Sequence, residues 1–304
     1  MNRLKNVLQG AAEVVARPYV RRELPGWGRV YSVVVGGYRR NWLWEGAGQK
    51  TVRGKLHKHL MTLDLAQWPD RSTYFLERWY DLETQLFLSA VTKAGDVVVD
   101  VGANRGMFAL AASQAVGDAG RVICFEPNPR CATVLRADIR QNDIKNIEVR
   151  DMALGQQPAR LVLSIPRINS GEATLGPSNY AECDQIDCAV EIGDEQLAGV
   201  NPVLIKIDVE GYECQVINGL RKTIERARPM FITEVVADHL ERCGTSQEEL
   251  YKTMQDLGYQ GFRMDLRRCG GDLSVHLKPL SATREGFDAV WIPRSDVGRL
   301  QHLL

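Results

Sequence analysis

The densest run of chemically capable residues in this 304-residue chain is Lys206-Ile207-Asp208-Val209-Glu210-Gly211-Tyr212-Glu213. Strand side chains alternate between faces, so Lys206, Asp208 and Glu210 share one side while Ile207 and Val209 take the other. Three charges at a strand end are costly unless they pair with one another or serve a site. Carboxylates in that position can orient a ligand or take a proton from a hydroxyl, and a neighbouring ammonium keeps a carboxylate ionised. Glu210 is the expected base, Asp208 the expected orienting group and Lys206 their counter-ion. Glu234 ends the next apolar run and His239 follows five residues later, so both are expected on the acceptor side, His239 as a second base. Glu213 stands at a helix start, where capping accounts for it.

A second constellation begins at Asp100-Val101-Gly102-Ala103-Asn104-Arg105-Gly106. Gly102 permits a sharp turn close to a ligand, and Gly106 opens a helix whose free N–H groups face the same crevice. Phe125-Glu126-Pro127-Asn128-Pro129 follows, with Glu126 placed at an adjacent strand end to accept both hydroxyls of a ribose. Asp151 and Met152 close the third strand, where an adenine would lie: a carboxylate for its amino group, a thioether for its face or simply for the core. The dinucleotide fingerprint GxGxxG needs a second glycine against the pyrophosphate, and here Asn104 holds that position. S-adenosylmethionine has no pyrophosphate, and Asp100 can face its cationic end, so the departure favours that methyl donor over NAD.

The elements that must position these groups repeat regularly from residue 94. Apolar strands are expected at 96–101, 121–126, 147–154, 203–209, 230–236 and 289–293, with helices at 106–116, 129–141, 213–226 and 246–257. Such alternation predicts an α/β fold with a doubly wound, mostly parallel sheet, whose ligands bind beyond the carboxyl ends of the strands. Residues 1–93 read as an N-terminal extension of mixed helix and strand, with strands in 52–65 and a helix over 72–92. Residues 94–304 read as the main domain.

Together, VVDVGANRGMFAL, GRVICFEPNP, NIEVRDMALG and LIKIDVEGYE followed by RPMFITEV resemble the FkbM family of methyltransferases, over roughly Asp96 to Val236. The resemblance implies a class I, Rossmann-like methyltransferase fold and S-adenosylmethionine-dependent methyl transfer, usually to a hydroxyl oxygen. Family acceptors include sugars of glycans and glycolipids and secondary metabolites, and a sugar hydroxyl is the expected acceptor here. One departure stands out. The family's Thr-Leu-Asp motif, on the strand before KIDVEG, is replaced by Cys188-Ala189-Val190-Glu191-Ile192-Gly193-Asp194. The polar stretch Asn169 to Thr174 is a further candidate for the acceptor side. The readings from other classes are an NAD(P)-dependent oxidoreductase on the same sheet and a non-catalytic scaffold. A Tyr-x-x-x-Lys pair after a strand is missing, which argues against the first, and the complete set of acidic residues argues against the second.

Lys+Arg and Asp+Glu balance at 38 each, yet residues 1–60 hold twelve cations against three anions, a net +9. This flank favours a solvated surface or an anionic membrane. Leu4, Val7, Leu8, Ala11, Val14 and Val15 recur at helical spacing there, and the expectation is that this stripe docks on the protein. Nucleic acid is not an expected partner, since the Asn/Asp-Pro-Pro-Tyr signature is missing; a homo-oligomer stays open. Seven scattered cysteines without a CxxC pair suit a reducing compartment, so a cytoplasmic protein without structural zinc is expected, and no metal is assigned. His57 and His59 alternate without a third ligand. No apolar run nears the ~20 residues that span a bilayer, and the first residues lack a signal-peptide core.

Overall fold

The computed structural model describes residues 2–167, 170–269, 272–281 and 285–304. The chain forms two compact units, one of residues 1–82 with 140–143, the other of 83–139 with 144–304.

The first unit is helical with one hairpin. A helical run passes through Asn2–Ala11, a π-helical Ala12–Ala16 and Arg17–Val20; Trp27–Val30, the π-helical Tyr31–Val35 and Asn41–Trp44 follow. Strands β1 (Gln49–Arg53) and β2 (Leu60–Asp64) pair antiparallel. Where one helix was expected over 72–92 there are two, Trp68–Leu76 and Leu82–Val91, because Glu77 adopts a left-handed conformation at φ 53°. Buried Arg71 ties the pieces together, donating to Leu65 O (2.8 Å), Gly37 O (3.0 Å) and Asn41 Oδ1 (2.9 Å). A guanidinium is tolerated inside because both of its Nη groups meet fixed acceptors. His57 and His59 stack on each other, and burial pushes His57 down to about 4, as a neutral core histidine.

The second unit holds the site. Its strands are β3 (Val97–Val101), β4 (Arg121–Phe125), β5 (Ile147–Arg150), β6 (Ala153–Gly155), β7 (Ala159–Pro166), β8 (Cys183–Ile192), β9 (Leu204–Ile207), β10 (Met230–Val235), β11 (Tyr259–Cys269), β12 (Asp272–Pro279) and β13 (Phe287–Pro293). Eight of them form a sheet of order β12-β11-β13-β10-β9-β3-β4-β5, parallel from β10 to β5 and antiparallel beyond. The parallel strands are short and β-branched, with β9 buried throughout, as helices on both faces require. Val99, Ile123, Ile205 and Phe231 meet Ile217, Ile224 and Leu250 in one core. This is the expected doubly wound α/β sheet.

Two departures bear on the site. The strand expected over 147–154 is two strands: β5 ends at Arg150, and β6 joins a separate three-stranded sheet of order β6-β8-β7. The hairpin β11–β12 was not anticipated, and β13 inserts between it and β10. Among the described residues no helix is long and apolar enough to cross a membrane.

Candidate functional site

Gly102 turns the chain at the end of β3 with φ 83°, and its backbone passes so near β9's end that a Cβ there would lie 2.0 Å from Asp208 O. The glycine is thus required by packing as well as by access to the crevice. Gly106 caps the helix Met107–Val116 at φ 87°, and a Cβ would meet Leu135 at 2.2 Å. It permits helix packing and does not line the cavity. Between them Asn104, at φ 50°, offers its N–H to Glu126 Oε2 at 2.5 Å, while Asn128 N donates to Oε1 at 2.7 Å. Those two amides hold the Glu126 carboxylate in place just past β4. Burial lifts its pKa to about 7, against the pull of the Asn128 and Asn104 amides. Asn128 itself builds the loop, with Oδ1 accepting from Arg130 N and a buried Nδ2 that has no partner.

A crevice of about 630 Å³, counting its open mouth, lies beyond these strand ends, where Gly102, Asn104, Glu126, Asp208 and Glu210 line it with Phe125, Leu154, Leu163 and Tyr212. The apolar members suit a flat ring, and the acidic ones suit hydroxyls and a cation. Asp100 stands behind them on β3, in register with Lys206 of β9. It is fully buried, neither of its oxygens has a hydrogen bond, and burial raises it to about 7. An orphaned buried carboxyl beside a crevice is the arrangement a cationic ligand group would satisfy. A ligand with a ribose and a cationic end therefore fits the residues present.

Asp151 and Met152 are not brought to this crevice. Both Asp151 oxygens pair with Arg136, at 2.8 and 2.9 Å, on the surface, and Met152 packs against the core. The bend between β5 and β6 turns them away. Ala153 and Leu154 line the cavity in their place.

On the other side, Lys206 Nζ donates to Asp208 Oδ2 at 2.6 Å. Burial pulls the ammonium down, yet Asp208 and Asp100 together hold it above its ordinary range. The pair fixes Asp208 where it lines the crevice. Past it the alternation stops, since Glu210 is left-handed at φ 56° and Gly211 follows at φ 108°. The turn carries Glu210 towards β10, where Glu234 and His239 wait. His239 Nδ1 lies 2.8 Å from Glu210 Oε2 and 3.3 Å from Glu234 Oε2, with hydrogen-bond alignment only towards Glu234. Glu210 is raised to about 8, first by burial and then by Glu234; Glu234 is raised too, by burial and Asp208. The two carboxylates in turn lift His239 to about 10. The ligand atoms of the three side chains lie within 4.8 Å of one another, a spacing that would also suit a cation.

Glu213, buried, accepts from Val209 N (3.2 Å) and Gly211 N (3.3 Å), holding the turn in shape as capping anticipates. Thr174 adds a contact that sequence reasoning missed, donating from Oγ1 to Glu210 O at 2.9 Å. Gly171 and Ala173 of the same stretch line the crevice, while Asn169 lies outside the described residues. Tyr212, Cys131 and Leu163 were likewise unforeseen: Cys131 is on the helix Pro129–Gln141, Tyr212 precedes the helix Glu213–Asn218, and Leu163 is on β7.

The chain is similar to several solved structures. The methyltransferase FkbM from Methylobacillus flagellatus KT is 18% identical over 72% of this chain and 54% of that one, with TM-score 0.43. The chain thus spans about half that protein's length. The S-adenosylmethionine-dependent O-methyltransferase from Thermotoga maritima is 13% identical, over 80% of this chain and 84% of that one, with TM-score 0.41. Aeropyrum pernix fibrillarin, solved with bound S-adenosyl-L-methionine, is 16% identical over 68% and 72%, with TM-score 0.36. No curated protein matches. The model of the methyltransferase FkbM domain matches residues 100–260, more than half of the chain and every strand end that builds the crevice. This chain belongs to the FkbM family of methyltransferases.

Proposed function

We propose that this protein transfers a methyl group from S-adenosylmethionine to a hydroxyl oxygen, with a sugar hydroxyl of a glycan, glycolipid or secondary metabolite as acceptor. The observation that carries the reading is the meeting of Glu210, Glu234 and His239 beside the crevice that Gly102, Glu126 and Asp208 line. S-adenosylmethionine supplies an electrophilic methyl group on a sulfonium. Glu126 accepts from the ribose hydroxyls, and Asp100 and Asp208 offer negative charge to the cationic end. The apolar wall of Phe125 and Leu154 takes the adenine.

In-line displacement needs alignment above all, and alignment alone is worth several kcal/mol. Glu210 takes the acceptor's proton. A base raised to about 8 is well matched to a hydroxyl near neutral pH, because it binds the proton firmly yet is ionised in an appreciable fraction. His239 and Glu234 hold the acceptor; His239 favours the Glu210 carboxylate that receives the proton, and Glu234 favours the protonated form that results. A vicinal diol suits this mixed set of acceptors and donors, which is what favours a sugar.

Calorimetric titration with S-adenosylhomocysteine tests the cofactor, using the parent and an Asp100→Ala, Glu126→Ala variant. Micromolar binding by the parent, lost in the variant, supports the site; a folded parent that binds nothing removes it. Radiolabelled methyl transfer into glycan extracts then tests the acceptor class, and a cofactor-binding protein that labels none of them would return the scaffold reading.

A further inference from the structure

The described part of the N-terminal apolar stripe, Val7, Leu8, Ala11, Val14 and Val15, does not dock, while the Leu4 side chain lies outside the described residues. The face that packs is Ala12, Ala16 and Val20, all fully buried, whereas Val7, Val14 and Val15 are 61%, 76% and 71% exposed. The second helical run, Trp27–Val30 continued by Tyr31–Val35, lies against the first and exposes Val33 (67%) and Val34. Trp42, 56% exposed, has Lys5 Nζ 5.9 Å from its ring centroid. Single exposed valines are ordinary. Here nine of the twelve large hydrophobics exposed among the described residues precede residue 60, so the exposure is concentrated in one small part of the chain. A patch of that kind marks an interaction surface.

Its charge says which kind. The three anions of residues 1–60 are engaged: Glu13 with Lys50 (3.4 Å), Glu23 with Lys55 (2.5 Å) and Arg78 (2.8 Å), and Glu45 with Lys5 (3.2 Å). Arg22, Arg29 and Arg39 are exposed. Arg22 lies in the turn just past the first run, and Arg29 sits within the second run ahead of Val33, so exposed cations neighbour the exposed valines in sequence. Valines and a tryptophan flanked by arginines are the make-up of a surface that lies in the plane of a membrane interface. A second copy of the chain would set these exposed arginines against its own, which opposes self-association through this face.

We propose that this face docks on an anionic phospholipid surface, the valines and Trp42 entering the headgroup–acyl boundary while the arginines meet lipid phosphates. The inference is independent of the methyl-transfer reading, because it uses none of the crevice residues.

The test is co-sedimentation of the full chain with vesicles of phosphatidylcholine alone and of phosphatidylcholine with phosphatidylglycerol. The parent is compared with Val14→Ser/Val15→Ser and Arg22→Gln/Arg29→Gln, whose folding is checked by circular dichroism and thermal midpoint. The parent should partition onto the anionic vesicles alone. Each cation near such a surface is worth about fivefold in partition, so the arginine variant should bind roughly 25-fold more weakly. The valine variant should lose at least as much. A parent that stays in the supernatant with anionic vesicles, or folded variants that bind as it does, would overturn the proposal. So would light scattering showing a parent dimer that the valine variant dissolves, since the face would then be a self-interface.

Discussion

Replacing Asp100 by asparagine should make the ligand-free protein more stable, by an amount that grows as pH rises from the ordinary 3.8 and levels off above about 7. Asp100 is buried with neither oxygen bonded, and its pKa rises from an ordinary 3.8 to about 7 through burial, Lys206 recovering only part of the cost. In the unfolded chain the carboxyl ionises near 3.8, whereas in the folded protein it keeps its proton until about 7. Between those values the folded state binds more protons, so this group's contribution is fully present below 3.8 and lost as pH rises through 7. About three pH units at 1.36 kcal/mol each put the penalty at about 4 kcal/mol. The asparagine amide, equally without partners, keeps about 1–2 kcal/mol of desolvation cost. The net gain at pH 8 is therefore about 2–3 kcal/mol, and at pH 5 it is below about 1 kcal/mol. Urea denaturation of both proteins at the two pH values measures this, provided the m-values agree. The same variant should bind S-adenosylhomocysteine more than tenfold more weakly, because the ligand's amino group loses a buried anion. Equal stabilities at both pH values would refute the reasoning. They would mean that the Lys206 ammonium neutralises Asp100 as well as water does, and that no ligand charge is needed there.

Glu210→Gln should lower kcat by roughly 10²–10⁴ while leaving S-adenosylhomocysteine affinity unchanged, as removal of a general base does. The parent's rate should climb through about pH 8 as Glu210 loses its proton, and the glutamine variant's should not. Gly102→Ala forces a Cβ to 2.0 Å from Asp208 O at a φ of 83°, a cost of roughly 2–4 kcal/mol that thermal denaturation will report. A variant within about 0.5 kcal/mol of the parent would show that the β3 and β9 ends can part freely. Exhaustive chelation should leave the rate unchanged, because the His239 imidazole already lies between Glu210 and Glu234 as their counter-charge. Loss of activity restored by one divalent ion would make these three side chains its ligands instead.

What could be read in advance followed from short-range grammar. The glycine turn after β3 and the acid after β4 each sit within a few residues of the strand that positions them, so periodicity and turn chemistry suffice. Glu210, Glu234 and His239 come from two separate strand ends, and only the adjacency of β9 and β10 joins them. That adjacency is foreseeable in a parallel sheet, but the left-handed turn that swings Glu210 across is not, since period two would have kept it beside Asp208. Asp151 shows the same limit. The stretch 147–154, apolar residues interrupted by Glu148, Arg150 and Asp151, is equally compatible with one strand or with two that bend between sheets, and here the bend sends Asp151 to Arg136. The hairpin β11–β12 escaped because Arg263, Asp265 and Arg267 interleave with its apolar residues, although Gly270-Gly271 between two alternating runs is a hairpin signal.

The N-terminal stripe is the most instructive case. Hydrophobic spacing locates a face but cannot say whether that face or its opposite packs, because small residues win wherever helices approach closely. Ala12 and Ala16 sit four apart, and Val20 continues their line, so the second helical run can press against them; the larger valines would hold it off. Close packing thus consumes the alanine face and leaves the more apolar one in water. A chain that exposes its better hydrophobic face has either failed to bury it or keeps it for another surface, and the exposed arginines Arg22 and Arg29 near the two runs favour the second.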